Sequence, residues 1–184
     1  MKGKSSNRGT GGAASRRREA VRVATAKGRK ISSILWLERQ LNDPYVRAAK
    51  AEGFRSRAAY KLMQMDEKYK LLKPGQRVVD LGAAPGGWSQ IAAKKIFSGK
   101  GRATAKLIAL DILAMEALPD VTVLQADFTE NDAPDKIRAV LQGGADVVLS
   151  DMAAPTTGHT GTDHIRIIAL AELAHEFARE VLGP

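Results

Sequence analysis

The 184-residue sequence contains no cysteine. That excludes a disulfide framework, an iron–sulfur cluster, a cysteine zinc site and a thiol nucleophile. Any chemistry must come from oxygen, nitrogen or a bound cofactor. An apolar run of membrane length is also missing, as is a secretory h-region, so a soluble, cytoplasmic protein is expected. The three histidines, His159, His164 and His175, have no partners at metal-ligand spacing, and no metal is expected. His175 reads as a helix-surface residue and the other two as loop residues. Acidic residues are nearly missing from the first thirty positions, where Glu19 stands against ten Lys and Arg.

What remains is ordinary for a globular chain, with 44% hydrophobic and 27% charged residues. That is enough apolar material for a core, which rules out a wholly disordered chain. The length suits one domain plus a tail. The net charge of +9 resides in residues 1–30, because residues 31–184 hold nineteen charges of each sign. With Gly3, Gly9, Gly11 and Gly12 and no apolar periodicity, residues 1–30 read as a flexible basic arm. Such an arm releases counterions from a polyanion, most often nucleic acid, or it merely solubilises the chain. A mitochondrial transit peptide would need an amphipathic apolar face that this segment lacks.

Residues 31–184 read as one α/β domain. Ile34 to Leu37 with Leu41 forms an apolar helical face, stopped by Asn42-Asp43-Pro44. A second helix is predicted from Ser56, as N-cap, to about Lys70, with Ala58, Leu62, Met65 and Tyr69 on one face. Met63 and Met65 read as core packing. Five basic residues lie between Arg47 and Lys61: those two with Lys50, Arg55 and Arg57. After the Lys73-Pro74-Gly75 turn, strands are predicted at Val78–Leu81, Leu107–Ile112, Val121–Gln125 and Asp146–Ser150. Helices are predicted at Ser89–Phe97, Pro134–Leu141 and Asp163–Leu182. Strands separated by helices indicate a parallel, doubly wound sheet.

Asp80, Asp111, Asp127 and Asp151 each fall at or just past the carboxyl end of a predicted strand. In an open α/β sheet that edge binds ligands where the strand order reverses. Between the first strand and its helix lies Asp80-Leu81-Gly82-Ala83-Ala84-Pro85-Gly86-Gly87-Trp88-Ser89. Gly82 permits the tight turn, and Gly86 and Gly87 let the backbone approach a ligand. The spacing matches neither the dinucleotide fingerprint nor a Walker loop. The helix start there can hold a carboxylate as readily as a phosphate. Asp111 is placed to accept from ribose hydroxyls, so the combination suits an adenosine ligand.

The run from Val78 to Gln90, with its Pro85-Gly86-Gly87-Trp88 core, resembles the signature loop of the FtsJ family of S-adenosylmethionine-dependent ribose 2′-O-methyltransferases. Ser56-Arg57-Ala58-Ala59-Tyr60-Lys61-Leu62, Gln125-Ala126-Asp127-Phe128 and Leu149-Ser150-Asp151-Met152-Ala153 match as well. The resemblance runs from about Trp36 to Pro184. It is greatest to bacterial members that methylate a uridine of 23S ribosomal RNA in the large ribosomal subunit. It implies a Rossmann-like methyltransferase fold, S-adenosylmethionine as cofactor and a monomeric, membrane-free enzyme. Gly86 and Trp88 would lie along the cofactor's methionine portion. Asp111 would bind its ribose, Asp127 the adenine amino group, and Asp151 would sit beside the sulfonium and the incoming hydroxyl. Lys61 and Asp151 match the first lysine and the aspartate of the family's Lys-Asp-Lys-Glu catalytic set. The second lysine and the glutamate have no counterpart before Leu182-Gly183-Pro184. The domain is therefore expected to be incomplete at its C-terminus, its last strands absent, and to bind cofactor better than it catalyses. Asp151-Met152-Ala153-Ala154-Pro155-Thr156 also departs from the Asp-Met-Ala-Pro-Asn of many relatives.

These residue types suit the chemistry. A ribose 2′-hydroxyl is a poor nucleophile until its proton is polarised or removed, which a site lysine with a lowered pKa can do beside an orienting carboxylate. Alignment with an electrophilic methyl group supplies much of the rest. Read alone, Lys61 is a helix lysine in a basic stretch, and most of those are simply solvated. A cytosine C5 methyltransferase of the usual kind needs a cysteine. An adenine N6 enzyme needs an aromatic where Met152-Ala153-Ala154-Pro155 stands. A non-catalytic piece that binds RNA or cofactor stays open, as does a 2′-O-methyltransferase for another RNA.

Overall fold

A computed structural model of the chain describes Gly28 and residues 31–183. The arm predicted over residues 1–30 therefore lies, Gly28 apart, outside the described residues. Contacts divide the chain after Asp43. The described part of the N-terminal unit is helix α1 (Ile31–Asn42), whose last side chain, Asn42, donates to the Glu38 carbonyl at 2.7 Å.

The second unit opens on a helix that the sequence reading missed. Pro44 ends α1 but also begins α2 (Pro44–Ala51), because at a first helical position its missing N–H costs nothing and its φ is already helical. Helix α3 (Ala58–Tyr69) starts without a side-chain cap, so Ser56 is not the N-cap. Its buried stripe is Ala59, Leu62 and Asp66, displaced around the helix from the predicted one. Tyr69 is exposed and Met63 is 39% exposed, which corrects the reading of Met63 as core. Asp66 can take a core position because it accepts the Leu72 N–H at 2.8 Å and pairs with Lys95 Nζ at 3.0 Å. Burial pushes its pKa up, but those donors win and hold the carboxyl below its usual range.

The sheet comprises β1 (Arg77–Leu81), β2 (Lys106–Asp111), β3 (Val121–Gln125) and β4 (Val147–Ser150), all parallel, in the order β3-β2-β1-β4. Helix α4 (Gly87–Ile96) and a 3₁₀ turn (Gly99–Ala103) connect β1 to β2. Helix α5 (Ala133–Leu141) connects β3 to β4, and α6 (Thr160–Val181) follows. The chain builds outward from β1 to β3, then returns to β1's other side. The strand order therefore reverses between β1 and β4, the position predicted for a ligand crevice.

Alternation along the strands divides the core into two layers. Val79, Leu81, Ile108 and Leu110 pack against Ile137 and Leu141 of α5 and Phe177 and Val181 of α6. Val78, Leu107 and Leu149 pack against Leu62 of α3 and Trp88, Ile91 and Ile96 of α4. Covered on both faces, β1 and β2 are buried along nearly their whole length, apolar from Leu107 to Leu110 in β2 and, in β1, at Val78, Val79 and Leu81. Among the described residues, no helix is long and apolar enough to cross a membrane.

Candidate functional site

The carboxyl ends of the strands surround a cleft of about 660 Å³. Gly82 and Ala84 line it from the loop after β1, Asp111 from β2, Asp127 from the segment after β3, and Asp151 and Met152 from beyond β4. Register brings these residues level. Leu81 pairs with both Leu110 and Ser150, so Asp111 and Asp151 each stand one residue beyond it. The Asp151 N–H then bonds to the Leu81 carbonyl at 3.1 Å. At Gly82 the chain turns with φ +78°, and a Cβ there would lie 2.8 Å from the Met152 nitrogen. The position needs glycine both for that φ and because the β1 and β4 loops touch behind the cleft.

Asp111 is engaged by its own neighbourhood. Its Oδ2 accepts the Ala84 N–H and its Oδ1 the Leu113 N–H, each at 2.8 Å, so the carboxylate ties the β1 loop to the β2 loop. Each oxygen retains a lone pair for a ligand hydroxyl. Asp127 Oδ1 takes the Thr129 hydroxyl at 2.7 Å and the Thr129 N–H at 2.9 Å, and these bonds hold its pKa below the usual carboxylate range. Its Oδ2 has no protein donor among the described residues.

Asp80 differs from the other three. It belongs to β1 itself, one residue short of the strand end, and its side chain enters the α4 layer at 1% exposure. Ser89 Oγ donates to Asp80 Oδ2 at 2.6 Å, while Oδ1 has no partner among the described residues. The four strand-end acids of the sequence reading are thus three in the cleft and one beneath it. Burial pushes the Asp80 carboxyl up to about 6. The Ser89 bond opposes the rise, and the charges of Asp151 and Asp111 add to it. An unfolded Asp titrates near 3.9, so between about pH 4 and 6 the folded chain holds a proton that the unfolded chain has released. Stability from this group is complete below about pH 4 and lost as pH rises through 6, by about 3 kcal/mol. Asp80→Asn should remove that part of the pH dependence. Urea denaturation of both chains from about pH 4 to 8 measures it, and parallel profiles would refute it.

Lys61 and Asp151, ninety residues apart, meet at the cleft mouth with Nζ 2.7 Å from Oδ1. Both are partly exposed, with side-chain values of 57% and 39%. The ammonium also lies 5.2 Å from the centre of the Trp88 ring. Trp88 is only 5% exposed and its indole N–H donates to the Ala58 carbonyl at 2.8 Å, so it braces α3 from α4. Gly82 and Ala84 line the cleft, and Gly86 and Trp88 are not among its lining residues. A Cβ on Gly87 would overlap the Ser56 hydroxyl, so the close approach at that glycine is to the chain's own loop and not to a ligand. Among the described residues no acid–histidine group is arranged to hold a metal. His159 precedes α6, and His164, predicted in a loop, lies within that helix.

The contacts of two residues at the site were not legible in the sequence, although Gln90 closes the signature run. Arg55 is one of the five basic residues between Arg47 and Lys61, and its guanidinium bonds the carbonyls of Pro85, Glu116 and Ala117. Gln90 accepts the Arg55 N–H at 2.8 Å and donates to the Gly53 carbonyl at 3.1 Å, fixing the α2–α3 link onto α4. No composition or periodicity signal marks either residue, because their partners are backbone atoms of distant loops.

Sheet order and cleft define a doubly wound α/β protein with a ligand site at the switch between β1 and β4. A model of FtsJ-like methyltransferases matches residues 54–184, and the chain belongs to that family. It is 58% identical over 176 residues to the ribosomal RNA large subunit methyltransferase E of Paramagnetospirillum magneticum, covering 96% of this chain and 72% of that protein. The protein of the same name from Afipia carboxidovorans is 63% identical over 164 residues, covering 89% and 72%. Among solved structures, a ribosomal RNA methyltransferase from Plasmodium falciparum superposes with a TM-score of 0.62 at 29% identity, covering 71% of this chain and 73% of that one.

Proposed function

We propose that the chain is a ribosomal RNA methyltransferase that moves the methyl group of S-adenosylmethionine to a ribose 2′-hydroxyl, its target a uridine of the 23S RNA. The observation that carries this reading is the Lys61–Asp151 contact at the mouth of a cleft with Asp111 and Asp127 farther along its rim. The relatives' names supply the RNA class.

The residues suit such a cofactor. Asp111 has one unused lone pair on each oxygen for the two ribose hydroxyls, and Asp127 Oδ2 can accept from the adenine amino group. The loop from Gly82 to Gly86 would follow the methionine portion, with the start of α4 near its carboxylate. When bound, the cofactor supplies an electrophilic methyl group. As a neutral amine, Lys61 Nζ would accept the proton of the incoming hydroxyl and become the ammonium, while Asp151 Oδ1 accepts an N–H from it and orients it. The cations between Arg47 and Arg57 other than Arg55, and those of residues 1–30, would engage RNA phosphates.

Incubation with methyl-tritiated cofactor and undermethylated large ribosomal subunits tests the reading. Label should be recovered as 2′-O-methyluridine after nuclease digestion. Label on a base would overturn it, and cofactor binding without transfer would favour a binding role alone.

A further inference from the structure

We propose that Arg55 is a positioning residue of the cofactor cleft, holding the β1 loop against the β2 loop. The inference rests on the cofactor reading of that cleft. Two loops meet there, residues 82–86 after β1 and 112–120 after β2, and the cleft is lined by Gly82 and Ala84 of the first and Ile112 and Leu113 of the second. Asp111 joins them through backbone N–H groups, taking Ala84 from one loop and Leu113 from the other. Arg55 joins the same loops through carbonyls. It donates to Pro85 at 3.3 Å in the first loop, and to Glu116 at 2.7 Å and Ala117 at 2.9 Å in the second. A carboxylate and a guanidinium thus bind opposite polarities of the same pair of loops.

The packing around Arg55 supports this role. Its side chain is only 20% exposed, unusual for an arginine among surface cations. A Cβ on Gly86 would lie 3.0 Å from both Arg55 Nη1 and Met115 Sδ, so the guanidinium fills the space that glycine leaves open. The Arg55 N–H bonds to Gln90 on α4, which fixes the backbone that carries the guanidinium. Three backbone acceptors in two directions match the planar fork of an arginine, and a lysine ammonium cannot span them at once. A guanidinium so engaged has little left for a phosphate, so Arg55 acts on the cofactor wall and not on RNA.

Calorimetry with S-adenosylhomocysteine, well below the melting midpoint of each chain, tests the proposal. Arg55→Met should weaken binding by about tenfold or more, because a wall that must be ordered on binding loses affinity. Arg55→Lys should lose several-fold. Lys50→Met, which removes a cation from exposed α2, should leave this affinity unchanged. The salt dependence of binding to a synthetic single-stranded RNA should flatten in Lys50→Met and not in Arg55→Met. Wild-type S-adenosylhomocysteine affinity in Arg55→Met, with a flattened salt slope or only a lowered melting temperature, would overturn the proposal. If Arg55→Met fails to fold, full affinity in a folded Arg55→Lys chain does the same. A wild-type chain that binds no S-adenosylhomocysteine overturns the cofactor reading itself, and this inference with it.

Discussion

Asp111→Ala is expected to weaken S-adenosylhomocysteine binding about a hundredfold, or about 2.7 kcal/mol. Two losses combine. The ligand loses its charge-assisted hydrogen bonds to the carboxylate, together about 2 kcal/mol net. The cleft also loses its internal tie, since the Ala84 and Leu113 N–H groups no longer share an acceptor. Asp111→Asn should rescue little of this, because its amide can accept through one atom only and turns a donor toward the other N–H. Calorimetry of the three chains measures the effect. Affinity within twofold of wild type in Asp111→Ala would remove Asp111 from the cofactor site.

Lys61→Ala is expected to lower methyl transfer about a thousandfold against the unsubstituted chain of the same length, within the range for loss of a positioned acid–base group. Cofactor affinity should stay within about threefold, because Lys61 contacts Asp151 and the Trp88 ring and none of the cleft wall around Asp111 or Asp127. Lys61→Arg separates two explanations. Arginine keeps the charge and the reach to Asp151 but cannot surrender a proton near neutral pH. If Lys61 only anchors Asp151, arginine should restore transfer. If its Nζ receives the hydroxyl proton, the arginine chain should stay as slow as the alanine chain. Single-turnover transfer with bound labelled cofactor reads this directly.

Local pattern determined much of this molecule. The segment Val121–Gln125 reads as a strand and is one, and the other three predicted strands lie within a residue of those observed. A central parallel strand such as β2 is covered on both faces and needs an apolar run, and Leu107 to Leu110 is that run. The glycine loop and the acids at the strand ends were visible for the same reason, since each belongs to one short stretch of chain. So was the break after Asn42. That Pro44 also begins a helix was not.

Tertiary structure decided the partners. An apolar stripe says which side of α3 is buried only to within a residue, and Asp66 enters the core because Leu72 and Lys95 stand ready as donors. Asp80 and Asp111 look alike as strand-end acids. One residue of register sends the first beneath α4 and leaves the second on the rim. Arg55 and Arg57 are indistinguishable as cations in a basic stretch until the carbonyls of Pro85, Glu116 and Ala117 arrive beside one of them. Lys61 reaches Asp151 only because β4 pairs with β1 and α3 packs on α4. Periodicity records whether a side chain is buried, a property of its own segment. Which donor meets which acceptor depends on the strand order, and that is set by the chain as a whole.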